Sequence, residues 1–271
     1  MIKSSKSLRS SLLLSLYFPL ALFAFENNNT NKSNITMITM EQIPYGFYDP
    51  DGKPTGVLFD ILKIIMKQSN IGNKNLLLPP IRIMHRMLAE PACTVVADTH
   101  EIVSNFDLVE PIGLEMKSGI IPRSGLIFAD YASLANKRIA VPLGILFDQR
   151  FENDPSIIKE FPPKYLNAIR MLINGRVDGV AGSILALKYI AKREGVDAKK
   201  FGKPLALKIN TMYLVCSKNL ANEIKSKLKK TVKLLKQNGK IKHILEHYFG
   251  KNYLTNIKKK QNISLDSGLS P

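Results

Sequence analysis

A histidine and a glutamate stand side by side at His100 and Glu101. An imidazole beside a carboxylate can carry out general acid–base catalysis when both groups face a substrate. In the alternative interpretation, Glu101 lies at the end of a strand, His100 lies on the surface, and neither takes part in catalysis. We favour this interpretation. The pair keeps an enzymatic function open as an alternative hypothesis, which Glu101→Gln would test.

Three aromatic side chains, Tyr45, Phe47 and Tyr48, crowd into the turn-rich residues 44–52. Large rings of this kind can form the wall of a ligand pocket, and a tyrosine adds a polar end. They can equally pack a loop onto a sheet. The sequence leaves both interpretations open.

The chain has two cysteines, Cys93 and Cys216, and no Cys-x-x-Cys or Cys/His cluster. This pattern does not indicate structural zinc, and we predict no metal and no cofactor. A disulfide between the two is possible in an exported protein. It requires Cα atoms within about 7 Å, which spacing along the chain does not determine.

The 271 residues include 39 Lys and Arg against 22 Asp and Glu, a formal charge of +17. Lys3, Lys6 and Arg9 precede an apolar run at residues 12–24, which is too short for the roughly 20 residues of a spanning helix. We therefore predict a cleavable signal peptide at residues 1–24 and export to the periplasm. The polar residues 25–35 are predicted to be a flexible leader.

Much of the remaining basic charge is concentrated near the C-terminus. Residues 218–260 carry thirteen lysines, with Glu223 and Glu246 as their acidic residues. These lysines lie between the apolar positions of helical segments, which indicates a solvated face. No aromatic interleaving or nucleic-acid motif accompanies them, so we predict no nucleic-acid partner.

Apolar periodicity places the elements that must position these side chains. Short apolar or alternating runs predict strands at residues 35–40, 94–97, 138–142, 177–181 and 212–216. Helical spacing recurs at residues 58–65, 165–172, 183–193 and 220–248, the last interrupted at Gly239. Ser183 is well suited to be the N-cap of the third helix.

Strands that alternate with helices are typical of parallel sheets covered by helices. The composition of the chain changes at residues 117–126, and the chain returns to the first lobe near Asn210. This pattern indicates that one lobe is inserted into another. We predict lobe 1 at residues 36–117, lobe 2 at 118–211, the return of lobe 1 at 212–256 and a basic disordered tail at 257–271. Proteins of this type bind ligands in the cleft at the carboxyl ends of their strands.

Four blocks in order carry a family resemblance. They are residues 44–56 with Asp60 after them, Thr99-His100-Glu101 with residues 106–112, residues 137–144, and residues 174–182; residues 238–240 and 247–250 add the closing helices. Together they resemble the polar amino-acid-type periplasmic solute-binding proteins of ABC transporters, extracellular solute-binding protein family 3. The resemblance implies an α/β type II periplasmic-binding fold. Its two lobes would each be a mainly parallel sheet covered by helices, joined by a two-strand hinge and closed by ligand.

The sequence departs from this family where an amino-acid ligand is held. The arginine that clamps the ligand carboxylate is replaced by Ile102, or by His100 in another register, and the aspartate that binds the ammonium by Ser183. Ile145 and Leu146 replace a hydroxyl pair. Burying a charged group without a partner of opposite charge costs several kcal/mol. We therefore predict a less polar pocket and a ligand other than a standard α-amino acid.

Six residues are candidate ligand contacts: Tyr45, Phe47, Arg82, Thr99, Gly144 and Ser183. Arg82 lies in a Pro-x-Arg element that resembles one in some members of the wider family, and could bind an anion. As one helix face with Arg86 it would instead be solvated or salt-bridged. The family pattern places Thr99 at a strand end lining the cleft, and Gly144 would let the backbone approach the ligand at a helix N-terminus.

The sequence thus predicts a monomeric periplasmic binding protein, without catalytic residues, that delivers a small solute to an ABC permease. Two alternatives share the scaffold: a cyclohexadienyl-dehydratase-like enzyme using His100 and Glu101, and a ligand-sensing component that contacts a sensor protein. A basic module that binds nucleic acid or membrane is a third hypothesis, which would require a steep salt dependence.

Overall fold

The central sheet is built from strands that are spread over residues 36–217 of the chain. The computed structural model describes residues 35–143 and 149–251. Within them the strands are β1 (Thr36–Met40), β2 (Phe47–Tyr48), β3 (Pro54–Thr55), β4 (Lys74–Leu78), β5 (Ala92–Ala97), β6 (Phe106–Pro122), β7 (Arg138–Ala140), β8 (Ile158–Glu160), β9 (Gly179–Ser183) and β10 (Leu205–Ser217). The helices are α1 (Val57–Ser69), α2 (Pro80–Ala89), α3 (His100–Asn105), α4 (Gln149–Asn153), α5 (Tyr165–Ile173), α6 (Ile184–Arg193), α7 (Asn222–Gln237) and α8 (Lys240–Phe249).

Some of the sequence predictions fall outside the described residues. These are the signal peptide, the leader up to residue 34, Gly144 with Ile145 and Leu146, residues 252–256 of the lobe 1 return, and the tail at residues 257–271.

Eight strands join in the order β4-β1-β5-β10-β6-β9-β7-β8, while β2 and β3 form a separate hairpin. At one end β1 pairs in parallel with β4 and β5, and at the other end β7 pairs in parallel with β8 and β9. Each end, with its helices, forms one lobe. The α/β class and the mainly parallel sheet predicted for each lobe are confirmed.

Two long strands, β6 and β10, run through both lobes. They are antiparallel to each other over their length, from Ser217 opposite Phe106 to Leu205 opposite Ile120. In lobe 1 β10 also pairs with β5, and in lobe 2 β6 also pairs with β9. These strands are the two-strand connection that the fold implies, and the lobe boundaries proposed at residues 117/118 and 211/212 fall within them.

Helices cover both faces of the sheet. In lobe 1, α1, α7 and α8 pack on one face through residues such as Ile65 and Leu235, and α2 and α3 cover the other through Ile83 and Ile102. The first of these cores continues into lobe 2, where it includes α5 and α6. A third core, around Phe151, lies on the opposite face of lobe 2.

A disulfide joins the two cysteines, a pairing that their spacing along the chain did not determine. Cys93 of β5 lies opposite Cys216 of β10 in the antiparallel register. Their Cα atoms are 4.1 Å apart and the two sulfurs are bonded. The bond ties together parts of lobe 1 that are 123 positions apart in the chain.

Among the residues that the structure describes, no helix combines the length and apolar character needed to cross a membrane. The same residues contain no group of three or more His, Cys, Asp or Glu side chains placed to hold a metal ion.

Candidate functional site

Two hydroxyl groups from different lobes meet between the lobes. The phenol oxygen of Tyr45, in the loop after β1, lies 2.7 Å from Oγ of Ser183 at the end of β9. Tyr45 is 2% exposed and Ser183 is 5% exposed, so the bond is shielded from water. The hydroxyl of Tyr165, the first residue of α5, accepts a hydrogen bond of 3.0 Å from the backbone N–H of Ser183. The side chain of Gln42 lies near this hydroxyl and acts to lower the pKa of Tyr165. We call Gln42, Tyr45, Tyr165 and Ser183 the hydroxyl cluster.

Tyr45 is held in place by the start of α1. The first N–H groups of a helix have no partner within the helix and must find one elsewhere. Here the N–H of Val57 donates to the carbonyl of Pro44, and the N–H of Leu58 donates to the carbonyl of Tyr45, both at 2.9 Å. Gly56 makes this approach possible, because a Cβ at that position would lie 2.5 Å from the Tyr45 carbonyl oxygen.

Ser183 and Tyr165 are positioned by the junction of β9 and α6. Ser183 caps α6, where its Oγ accepts a hydrogen bond of 3.3 Å from the N–H of Ala186, as its residue type predicts. The preceding Gly182 has a φ of 140°, and a Cβ added there would lie 2.5 Å from the Tyr165 ring. The glycine therefore lets the ring of Tyr165 lie directly against the end of the strand.

The hydroxyl cluster is neutral. Burial raises the pKa of Tyr45 to about 12, although its hydrogen bond with Ser183 acts in the opposite direction. Burial likewise raises the pKa of Tyr165. Both phenols therefore remain protonated near neutral pH. The hydrogen bonds within the cluster come from amide and hydroxyl groups, which carry dipoles but no net charge.

A second hydrogen-bond network, centred on Tyr248, holds the turn at the start of α1. The hydroxyl of Tyr248, on α8, donates to Oδ2 of Asp60 at 2.7 Å and accepts from the N–H of Gly56 at 3.0 Å. It also lies 3.0 Å from Oγ1 of Thr55. Partial burial raises the pKa of Tyr248 to about 12. This network attaches the start of α1, and with it the backbone of Tyr45, to the closing helix of lobe 1.

Phe47 makes a second contact between the lobes. The guanidinium of Arg193, the last residue of α6 in lobe 2, lies 5.2 Å from the centre of the Phe47 ring. Contacts of this geometry contribute on the order of 0.5–1 kcal/mol at exposed sites. The neighbouring Tyr48 is 53% exposed on β2. Of the three aromatic residues singled out from the sequence, one is buried between the lobes, one is half-buried against lobe 2 and one is exposed.

The other candidate contacts lie apart from the hydroxyl cluster. Arg82 is exposed on α2, one turn before Arg86, whose Nε forms an ion pair of 2.7 Å with Glu90. Thr99 is half-buried and caps α3, where it accepts a hydrogen bond of 3.4 Å from the N–H of Ile102. It lies two residues beyond the end of β5, not on the strand. Gly144 lies outside the described residues.

Ile102 occupies the position where the family resemblance would place a carboxylate-binding arginine. Its side chain is 8% exposed and packs with Ile38, Ile83 and Phe106 between the sheet and the α2–α3 layer. It therefore contributes to the core of lobe 1, and no guanidinium stands in its place.

His100 and Glu101 are both exposed and lie in the first turn of α3. The prediction that Glu101 ends a strand was wrong, because the chain turns into a helix as soon as Thr99 caps it. The backbone carbonyls of the two residues accept hydrogen bonds from Ser104 and Asn105. These bonds serve α3 and do not orient the two side chains toward each other.

Tyr165 and Gln42 were missed as site residues. Tyr165 was assigned to the apolar face of a helix, and that assignment is correct. The signal overlooked was its hydroxyl, because a buried tyrosine among aliphatic side chains needs a hydrogen-bond partner. Nothing in the sequence pattern around Gln42 distinguishes it from an ordinary loop residue.

The sequence matches no protein-family model. It also has no significant match among curated proteins. Solved structures, however, share its fold. An ancestral arginine-binding protein bound to arginine superimposes with a TM-score of 0.65 at 20% identity, over 81% of this chain and 99% of that one. The substrate-binding protein of an amino acid ABC transporter gives 0.62 at 16% identity, over 80% and 99%.

A third solved structure comes from a different kind of protein. A histidine kinase sensor domain with similarity to periplasmic binding proteins gives a TM-score of 0.66 at 16% identity, over 81% of this chain and 98% of that one. At such identities the likeness establishes the fold and not the ligand. The chain has the two-lobed fold of periplasmic binding proteins, as the resemblance of its motifs implied.

Proposed function

We propose that this protein binds a small solute between its lobes in the periplasm and delivers it to the permease of an ABC transporter. The observation that carries the proposal is the bond between Tyr45 and Ser183, which links the lobes through two of the residues predicted to be ligand contacts. Proteins with this fold recognise solutes by closing one lobe on the other. A ligand that bridges the two hydroxyls would stabilise the closed form by its differential affinity for that form.

The ligand is proposed to be uncharged where it meets Ser183, and not a standard α-amino acid. Ser183 stands where the family has an aspartate, and its Oγ is engaged by neutral groups. Ile102 stands where the family has an arginine, and it lies in the core. An ammonium group beside Ser183 would lose hydration without gaining an opposite charge, which is unfavourable by several kcal/mol.

The ligand contacts proposed are Tyr45, Phe47, Arg82, Thr99, Gly144 and Ser183, to which the structure adds Tyr165 and Gln42 as supporting residues. Phe47 would supply an apolar wall beside the hydroxyl cluster. The exposed positions of His100 and Glu101 favour a binding protein over a dehydratase-like enzyme. The proposal includes a cleaved signal peptide, a monomeric state, and no nucleic-acid partner.

A sensing role is a second candidate, favoured by one observation. The histidine kinase sensor domain superimposes as well as the transport proteins do. Both roles use the same closed form, and they differ in whether a permease or a sensor protein contacts it.

The decisive experiment identifies the solute. The protein is purified without denaturation and analysed by native mass spectrometry, and the solute found is then tested in a thermal-shift panel with the twenty standard amino acids. A ligand at one hundred times its dissociation constant stabilises a protein by about 2.7 kcal/mol. We expect neutral solutes to give the largest shifts, and the largest shifts from free α-amino acids would overturn the ligand class.

Two variants link the result to the site. Tyr45→Phe and Ser183→Ala should each weaken binding of the identified solute at least tenfold. Tyr131→Phe is the matched control, because it removes a phenol that bonds to Asp154 of lobe 2. Equal affinity in all three variants would place the ligand elsewhere.

A further inference from the structure

Lobe 1 carries a surface rich in lysine on three packed helices. α1, α7 and α8 lie together on one face of the sheet, joined by a shared core. Their exposed lysines are Lys63, Lys67, Lys227, Lys229, Lys230, Lys233, Lys240 and Lys242. We call these eight residues the basic face. Because these helices share one core, the backbone positions that carry the lysines are fixed relative to one another.

The lysines of α7 fall into two groups, those that form ion pairs with the sheet and those that are exposed to solvent. The helix buries Leu228, Val232 and Leu235, and two lysines at the edges of that side pair with β6. Lys225 lies 2.6 Å from Asp107, and Lys236 lies 2.6 Å from Glu110. These two pairs hold α7 on the sheet.

The remaining lysines of α7 are exposed to solvent. Lys227, Lys229, Lys230 and Lys233 lie on the opposite side of the helix, and the ion pairs found among the described residues do not include them. The acidic residues of these three helices are Asp60, which accepts a hydrogen bond from Tyr248, Glu223 in the first turn of α7, and Glu246, which is 3.7 Å from Lys242. The basic face is therefore strongly positive and unneutralised over most of its extent.

The chemistry of this face favours a diffuse anionic surface over a specific anion. α1, α7 and α8 contain lysines and no arginine. Lysine acts as a flexible point charge, whereas arginine provides the planar fork that reads phosphate or carboxylate geometry. Leu234, 45% exposed among these lysines, adds an apolar contact. Nucleic-acid sites add stacking aromatic rings, which the lysine-bearing side of α7 does not contain.

We propose that the basic face binds the surface of an anionic phospholipid bilayer. Each lysine near such a surface contributes about fivefold in affinity, so several lysines acting together give appreciable binding at moderate ionic strength. All eight residues belong to lobe 1. A protein that lies on the membrane by this face holds lobe 1 at the bilayer and leaves lobe 2 free to open and close.

Vesicle co-sedimentation of the full chain tests the proposal, with phosphatidylcholine vesicles that contain or lack about one third phosphatidylglycerol. The test variant replaces Lys227, Lys229, Lys230 and Lys233 with Gln. The control variant replaces Lys188, Lys199, Lys200 and Lys203, exposed lysines of lobe 2, with Gln and thus makes the same change in net charge. Comparing chains with identical termini cancels any contribution of the N-terminal apolar segment.

We expect the parent chain to bind the anionic vesicles and to be released in about 0.5 M salt, where charges are screened within a few ångströms. The test variant should bind at least tenfold more weakly, and the control variant should stay within about threefold of the parent. Circular dichroism checks that the variants fold, and Lys229→Gln with Lys233→Gln is the reserve pair.

Three results would overturn the proposal. Equal losses in both variants would mean that net charge alone matters. Equal binding of the parent and the test variant to anionic vesicles would exclude a role for the basic face. Binding of the parent to DNA or heparin more tightly than to anionic vesicles, and equally dependent on the four lysines of α7, would assign the face to a soluble polyanion.

Discussion

The phenol oxygen of Tyr45 and Oγ of Ser183 lie 2.7 Å apart across the boundary between the lobes, although 138 positions separate them in the chain. Each residue is also fixed within its own lobe, Tyr45 by the start of α1 and Ser183 by its role as the cap of α6. The bond therefore connects the start of α1 in lobe 1 with the start of α6 in lobe 2. Any opening of the lobes at this point has to break it and hydrate both hydroxyls.

Breaking this bond should lower stability in a coupled manner. Tyr45→Phe should reduce the free energy of unfolding by about 1 kcal/mol, because it leaves Ser183 with one partner fewer in a buried site. Ser183→Ala should cost about 1–3 kcal/mol, because it also removes the cap of α6. In a double-mutant cycle measured by urea denaturation, the coupling energy should be about 0.5–1.5 kcal/mol. Strict additivity would mean that the lobes do not meet through this pair in solution.

Alkaline pH should destabilise the protein through its buried tyrosines. The pKa of Tyr45 is about 12 in the folded state against an ordinary value of 10.0, so the folded state holds its proton where the unfolded state has lost it. Stability is therefore complete below pH 10 and falls as the pH rises toward 12. At pH 11 the loss from this group alone is about 1 kcal/mol.

Tyr45→Phe supplies the comparison for this pH dependence. Its stability should fall less steeply than that of the parent between pH 9 and pH 11, because the raised pKa of Tyr45 is absent and the charge of a Tyr45 phenolate no longer raises the pKa of Tyr165. Urea denaturation at closely spaced pH values measures the difference. Parallel curves for the two proteins would show that the Tyr45 phenol is exposed in solution.

Gly182 should tolerate no side chain. Gly182→Ala places a Cβ 2.5 Å from the Tyr165 ring at a φ of 140°, so both the ring and the backbone must move. We expect a loss of about 2–4 kcal/mol. Gly175→Ala is the matched control, because Gly175 has a φ of 70° and open space around it. Its cost should be about 1 kcal/mol, and equal losses in the two variants would remove the argument that Tyr165 needs Gly182.

The sequence predicted the elements whose apolar residues face one core. α1, α5 and α6 were placed correctly because their apolar positions recur at helical spacing, and the capping role of Ser183 followed from its residue type. β10 was predicted at residues 212–216 but extends from Leu205. Its first half crosses between the lobes, where Lys208 and Ile209 are exposed, so an apolar pattern does not mark it.

The assembled site could be predicted only in part. Tyr45 and Ser183 were both identified as candidates, but their contact depends on how the two lobes close on each other, which local sequence does not encode. The pairing of Cys93 with Cys216 has the same origin, because it needs the register of β5 against β10. Interactions between residues far apart in the chain depend on the topology of the fold. The periodicity of apolar residues predicts individual helices and strands, but it predicts the topology only roughly.

The disulfide should contribute substantially to the stability of lobe 1. Cys93 and Cys216 close a loop with a sequence separation of 123, and a loop of this length restricts the unfolded chain by about 5 kcal/mol in the chain-entropy description. Because measured contributions are usually smaller, we expect reduction to lower the free energy of unfolding by about 2–5 kcal/mol. Urea denaturation with and without dithiothreitol measures this loss. The variant with both Cys93→Ala and Cys216→Ala should respond equally in both conditions, and a parent chain insensitive to the reductant would show that the two thiols remain unbonded in solution.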